Sequence, residues 1–169
     1  MPSSIGHGLV ALAVAAALRP AAPPRRYWVL SAACAVLPDV DAVGRPFGLG
    51  DLAWLGGHRA LTHSLAFAAA LAGAVVLAAF RSPRWEGERL RLWAALALGT
   101  ASHGLLDALA SYGAGVAFFA PLSWARYKLP WQPFRGILPE VLALWLPAAA
   151  LLAFVASRRA RPGGPPPAA

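Results

Sequence analysis

Charge is scarce in this sequence. Charged side chains make up 13% of its 169 residues and apolar ones 59%, where a soluble domain carries roughly 25% charged residues. A single domain of this size with so few charges cannot clothe its surface for water. Lipid is therefore expected to solvate much of it. Cysteine is nearly absent too. Cys34 stands alone inside an apolar run, which excludes an intramolecular disulfide and any cysteine-based zinc motif and leaves a small buried hydrophobe. The N-terminus lacks the Lys/Arg region that opens a secretory signal, and its first apolar stretch meets Arg19-Pro20 without a cleavage-type sequence, so it is expected to be retained. There is no internal repeat and no alternating ten-residue pattern of a membrane β-barrel.

Basic charge is what the chain does carry. The net charge is +8, which invites a nucleic-acid partner. The Lys and Arg residues, however, fall in short clusters between apolar runs rather than in a stripe interleaved with aromatics, so no nucleic-acid binding is expected.

Five apolar segments can be drawn, over Ile5 to Leu18, Tyr27 to Leu37, Ala60 to Phe80, Leu92 to Leu109 and Ile137 to Ala156. Alanine and leucine dominate them, and only helices or closed barrels span lipid. The fold class is thus expected to be all-α, an integral membrane bundle of about four to five helices. A span needs ~20 residues, with ~17 as the lower limit. The third, fourth and fifth segments satisfy this, the first does so only if counted from Met1, and the second is short enough to be half-buried or re-entrant. Prolines separate the segments, and Pro147 inside the fifth is expected to kink it. Residues 1–157 should form one membrane-embedded domain, and the Arg, Gly and Pro-rich tail 158–169 should be disordered. Six tryptophans, Trp28, Trp54, Trp85, Trp93, Trp124 and Trp131, lie near segment ends as an interfacial belt would.

Five crossings would gather Arg19, Arg25, Arg26, Arg81, Arg84, Arg89, Arg91, Arg158, Arg159 and Arg161 at one side, against Arg45, Arg59, Arg126, Lys128 and Arg135 at the other. The richer side should be cytoplasmic, with the N-terminus outside. On that topology all four histidines, His7, His58, His63 and His103, fall at the outer side together with Asp39, Asp41 and Asp107. His103 and Asp107 are four apart on a helix and project from one face. Asp39 and Asp41 can converge if the chain turns after Pro38. If the third helix begins near Arg59, His58 sits at its mouth and His63 one turn in, and Arg59 becomes a candidate for bidentate contact with an anionic oxygen. Asp51, Glu86, Glu88 and Glu140 stand outside the set. An aspartate at a helix centre costs about 2.5–3.5 kcal/mol on insertion scales, so ionisable groups in apolar runs tend to pair and to mark function. Mixed imidazole and carboxylate ligation suits zinc, with manganese or iron as alternatives. The seven candidates, His7, Asp39, Asp41, His58, His63, His103 and Asp107, exceed one tetrahedral site and admit one or two ions.

These residues lie in motifs. His7, LPDVD at 37–41, GGHRALTHS at 56–64 and SHGLLDAL at 102–109 together resemble the YdjM-like family of inner-membrane, metal-dependent hydrolases. The motifs cover residues 7 to 109. The resemblance implies that His7, Asp39, Asp41, His58, His63, His103 and Asp107 belong to a metal site. A remoter similarity, through His103 and Asp107 as an H-x-x-x-D helix, is to zinc-dependent phospholipases C and the nucleases related to them. Those enzymes carry further downstream ligands, whereas no histidine follows His103 here and Glu140 is the one later acid, which argues against a full trinuclear site. No H-E-x-x-H is present, nor the Ser-Gly-His element of phosphohistidine lipid phosphatases. The resulting expectation is a hydrolase at headgroup depth, acting on an ester or phosphoester of an amphiphilic substrate such as a phospholipid. In it Asp39, Arg59 and His103 are catalytic and Arg59 binds the substrate. The alternative is a non-catalytic membrane protein that binds or transports metal or serves a structural role.

Overall fold

The computed structural model describes residues 3–20 and 22–159. The expected tail lies almost wholly outside the described residues. The fold is all-helical, with isolated β-bridges at Ala110–Phe134 and Val116–Tyr127 and no strand among the described residues. The helices are α1 (Ser4–Ala17), α2 (Arg25–Val36), α3 (Leu65–Ala79), α4 (Arg89–Ala108) and α5, which begins as Ile137–Glu140, widens to a π-turn over Val141–Trp145 and runs on as Leu146–Arg159.

Helix α4 is the axle. It packs against α1, α2 and α3, while α5 lies against α1. Small residues permit the close approach: a Cβ added at Gly99 would stand 3.3 Å from Cβ of Ala11. Alanine lines much of the interior, and the larger core side chains Tyr27, Phe80, Trp85, Leu92 and Leu96 gather at the end that carries the basic turns. There Tyr27 donates to the Ala15 carbonyl at 2.8 Å, and Arg26 lies over the Phe80 ring. The α1–α2 and α3–α4 connections thus share one end of the bundle.

Several expectations change. The run Ala60 to Phe80 is not one long helix: residues Leu61–His63 form a 3₁₀ turn, Ser64 caps the next helix by accepting from the Phe67 N–H, and α3 keeps only 15 residues. At ~1.5 Å per residue that is shorter than a ~30 Å hydrocarbon core. His63 therefore precedes the helix rather than lying one turn inside it. The second segment, by contrast, is longer than expected, because α2 continues through 3₁₀ turns to Phe47. Among the described residues, the two stretches long and apolar enough to cross a membrane are Arg25–Phe47 and Ile137–Arg158, with α1 and α3 as shorter apolar helices. At Pro147, where a kink is expected, α5 continues and the irregularity is a π-turn just ahead of it. The proline ring cannot sit against the carbonyl four residues back, and the turn ahead of it opens to π geometry. Trp85 is no belt residue: it is buried, edge-on to Phe80 at 5.5 Å. Trp54, Trp124 and Trp131 are exposed as the belt reading requires.

At the opposite end, segments 37–64 and 109–136 fold over the bundle. Ala117 N–H donates to the Arg59 carbonyl and Leu65 N–H to that of Phe118, both at 3.0 Å. Glu140, outside the expected site, is buried and accepts from the Ser3 N–H, the Ser3 hydroxyl and the Trp145 indole, so it ties α5 to the start of α1.

Candidate metal centre

Each element delivers its polar residue for a local reason. Pro38 steers the end of α2 into a 3₁₀ turn, Leu37–Ala42. At ~3 residues per turn, Asp39 and Asp41 point about 120° apart and take opposite sides of one imidazole. Asp39 Oδ1 lies 3.7 Å from His63 Nε2, and Asp41 Oδ2 lies 3.3 Å from His63 Nδ1. From α4, His103 and Asp107 project together as their spacing requires, Nε2 to Oδ2 at 3.9 Å. His7, from the first turns of α1, stacks on the His103 ring at 3.7 Å between centroids and approaches Asp107 at 3.7 Å. His58 completes the set through Asp41, Nδ1 to Oδ1 at 2.7 Å. All seven residues singled out in the sequence thus meet at one end of the bundle.

They divide into two kinds. Asp41 is saturated: it accepts from His58, from the Thr62 hydroxyl at 2.6 Å and from the Arg59 N–H at 3.3 Å. His103 Nδ1 is engaged with the Ala35 carbonyl at 2.7 Å, which makes Nδ1 the donor and turns the Nε2 lone pair to the centre. Around that centre His7 Nδ1 and Nε2, Asp39 Oδ1, His63 Nε2, His103 Nε2 and both Asp107 oxygens are buried without a hydrogen-bond partner among the described residues. A buried polar atom left so costs about 1–3 kcal/mol. Native interiors do not leave this many beside one another without something to satisfy them.

A cation fits. Donor atoms of Asp39, His63, His103 and Asp107 all lie within 4.8 Å of one another. Nearest pairs run from 3.3 Å (His103–Asp39) through 3.5 Å (His63–Asp107) to 3.9 Å (His103–Asp107). Tetrahedral ligation at about 2.0–2.2 Å places neighbouring donors about 3.3–3.6 Å apart. Two imidazoles and two carboxylates are a borderline donor set. Asp41, His58 and His63 form a second such group. Burial disfavours a charged His63, but Asp107, Asp39 and Asp41 outweigh it and raise the imidazole to about 10 without an ion. The pocket is thus strongly attractive to positive charge.

Arg59 is placed differently from the sequence expectation. Its backbone adopts φ 65°, a conformation costing a non-glycine residue about 1–3 kcal/mol and concentrated at functional sites. The side chain is 3% exposed. Nε stands 2.9 Å from Asp107 Oδ2, a charge pair not aligned as a hydrogen bond, Nη1 donates to the Tyr112 carbonyl at 2.7 Å, and Nη2 has no partner among the described residues. Arg59 therefore joins the cluster to an adjoining cleft of about 440 Å³ lined by Arg45, Asp51, His58, Arg59, Tyr112 and Arg126 among others. Asp39, with a side chain 20% exposed, opens on the other side to an apolar groove with Leu37, Val40 and Val43.

Three contributors escaped sequence reasoning. Arg126 donates to the carbonyls of His58 and Gly56 at 2.9 and 3.1 Å, from a loop 68 residues beyond His58 with no local signal. The Ala35 carbonyl is invisible in sequence. Gly104 did carry a signal, being a glycine inside a helix: a Cβ there would stand 2.7 Å from the His63 carbonyl, so its absence lets the His63 turn lie against α4.

A protein of Escherichia coli (strain K12), Inner membrane protein YbcI, is 32% identical to this chain, the match covering 94% of this chain and 99% of that protein. No solved structure matches. The family model described as YdjM inner membrane protein matches residues 1–162. With the buried His/Asp cluster set at one end of a helical bundle, the chain belongs to the YdjM inner membrane protein family.

Proposed function

We propose that this membrane protein is a metal-dependent hydrolase of an ester or phosphoester in an amphiphilic substrate. The observation that supports it most is the convergence of partnerless buried donors from Asp39, His63, His103 and Asp107. In this reading those four hold one divalent ion, zinc or else manganese or iron. His7 packs the His103 ring in place and supports Asp107. Asp41 orients His63 and His58 as a carboxylate orients a ligating imidazole. Its saturated oxygens favour one ion over two.

When bound, the ion supplies Lewis-acid polarisation of the scissile group and lowers the pKa of water. The protein's own residues do the rest. His58, its Nδ1 fixed by Asp41 and its Nε2 unpartnered, takes a proton from the attacking water as that oxygen bonds to carbon or phosphorus. The bond to the leaving oxygen breaks, and the same proton passes to that oxygen. Arg59 Nη2 holds the charge that develops on the substrate. The apolar groove beside Asp39 suits a lipid tail. In this reading the site faces the extracytoplasmic side, which the basic turns at the other end of the bundle support.

Elemental analysis of detergent-purified protein tests the first half. The wild type should carry stoichiometric divalent metal and His103→Ala and Asp107→Ala should not; equal metal in all three ends the proposal. A lipid-ester screen with and without chelator tests the second, and metal without chelator-sensitive turnover would favour the non-catalytic reading. Transport is the less supported form of that reading. Thr100 and Ser31, buried in α4 and α2, spend their hydroxyls on carbonyls of their own helices at 2.8 and 2.7 Å and offer no polar path.

A further inference from the structure

The cleft beside the metal cluster is built for negative charge. Three guanidinium groups line it, and the carboxylate among its lining residues is Asp51. Asp51 is committed to Arg45, accepting from Nε and, at 2.9 Å, from Nη2. Arg126 has no carboxylate within 4 Å among the described residues and is held by carbonyls of Gly56, His58 and Gly115. Those bonds fix the planar fork without neutralising it. Arg59 Nη2 is buried and partnerless in the same wall. A buried guanidinium N–H without an acceptor costs free energy that an anionic oxygen removes, and fixed arginine forks match phosphate oxygens geometrically.

Backbone choices keep the wall open. Gly113, at φ 88°, lies beside the Arg59 guanidinium, and a Cβ there would run into it. Arg45 and Arg59 already face Asp51 and Asp107, but a neutral ester would leave Arg126 without a counter-charge; a phosphate ester would offer its non-bridging oxygens to Arg126 and to Arg59 Nη2. Leu49 and Trp54, each 79% exposed, stand on the segments flanking Asp51 and Gly57, where an apolar rim suits a membrane interface.

We propose that the cleft walled by Arg45, Arg59 and Arg126 binds a phosphate-ester group and thereby selects phosphorylated substrates over neutral esters. The role in substrate selection rests on the hydrolase reading; the binding does not.

The test is calorimetric titration of the full chain in detergent with three probes: dihexanoyl phosphatidic acid, dihexanoylglycerol with the same tails and no phosphate, and phenyl phosphate. Binding of either phosphate probe well above dihexanoylglycerol supports the subsite. Phenyl phosphate binding as tightly as the lipid identifies phosphate alone as the determinant, and lipid-only binding identifies a phospholipid headgroup. Arg126→Ala should weaken the phosphate probe about tenfold or more. Arg45→Gln, at the exposed mouth and tolerable to the fold, should weaken it about two- to fivefold. Wild-type affinity that ignores the phosphate, or that survives in Arg45→Gln and in folded Arg126→Ala, overturns the proposal. The same titration, run beside a turnover assay with and without chelator, separates the two ideas. Phosphate binding without any turnover keeps the subsite and ends the hydrolase reading. Chelator-sensitive turnover indifferent to Arg45 and Arg126 does the reverse.

Discussion

If Asp39, His63, His103 and Asp107 hold an ion as proposed, removing it should destabilise this protein in a manner that one histidine controls. The donors of Asp39, His63, His103 and Asp107 are buried and partnerless. An ion that binds only the folded state adds about 4.1 kcal/mol at a thousandfold excess over its dissociation constant. For a chain of this size about 1 kcal/mol moves Tm by about 2–4 °C, so chelation should lower Tm by about 8–16 °C. His103→Ala removes one of the four proposed ligands, and the hydrogen bond from its Nδ1 to the Ala35 carbonyl goes with it. Loss of even a supporting partner commonly weakens a metal site about 10–100-fold. A lost ligand should exceed that, removing at least about 2.7 kcal/mol of the ion's contribution and leaving a chelator shift less than half the wild type's. The assay is thermal unfolding of detergent-purified protein with and without chelator. If His103→Ala keeps the full shift, the ion is held elsewhere and the assignment of these donors fails.

Asp41→Asn leaves the four donors in place but unseats His58 and His63. It should weaken metal retention about 10–100-fold, read by equilibrium dialysis. Gly104→Ala should press the His63 turn off α4 at a cost of about 1–3 kcal/mol, measured by thermal unfolding, and lower metal content with it; normal metal content would show that this approach is slack. For sidedness, Leu49→Cys should react with an impermeant maleimide in intact cells and Glu86→Cys only after lysis. The native Cys34 is buried and gives little background. The opposite pattern would place the site in the cytoplasm.

Composition and spacing alone determined that this is a helical membrane protein, and they picked out His7, Asp39, Asp41, His58, His63, His103 and Asp107. The reason is that burying charge in an apolar run is expensive, so each such residue stands out against alanine and leucine. The i, i+4 spacing of His103 and Asp107 sets their common face on any helix. Which of the seven would hold an ion and which orients the others was not legible. That depends on who occupies each second oxygen and nitrogen: Thr62 on Asp41, Ala35 on His103, hydrogen bonds made across 21 and 68 residues of chain. Helix ends misled where a continuous apolar run hid the turn at Leu61–His63, because hydropathy does not register the Ser64 cap. Arg126 and the arginine-walled cleft exist only once the 109–136 segment folds back over the bundle, since long-range hydrogen bonds to carbonyls leave no trace in local pattern.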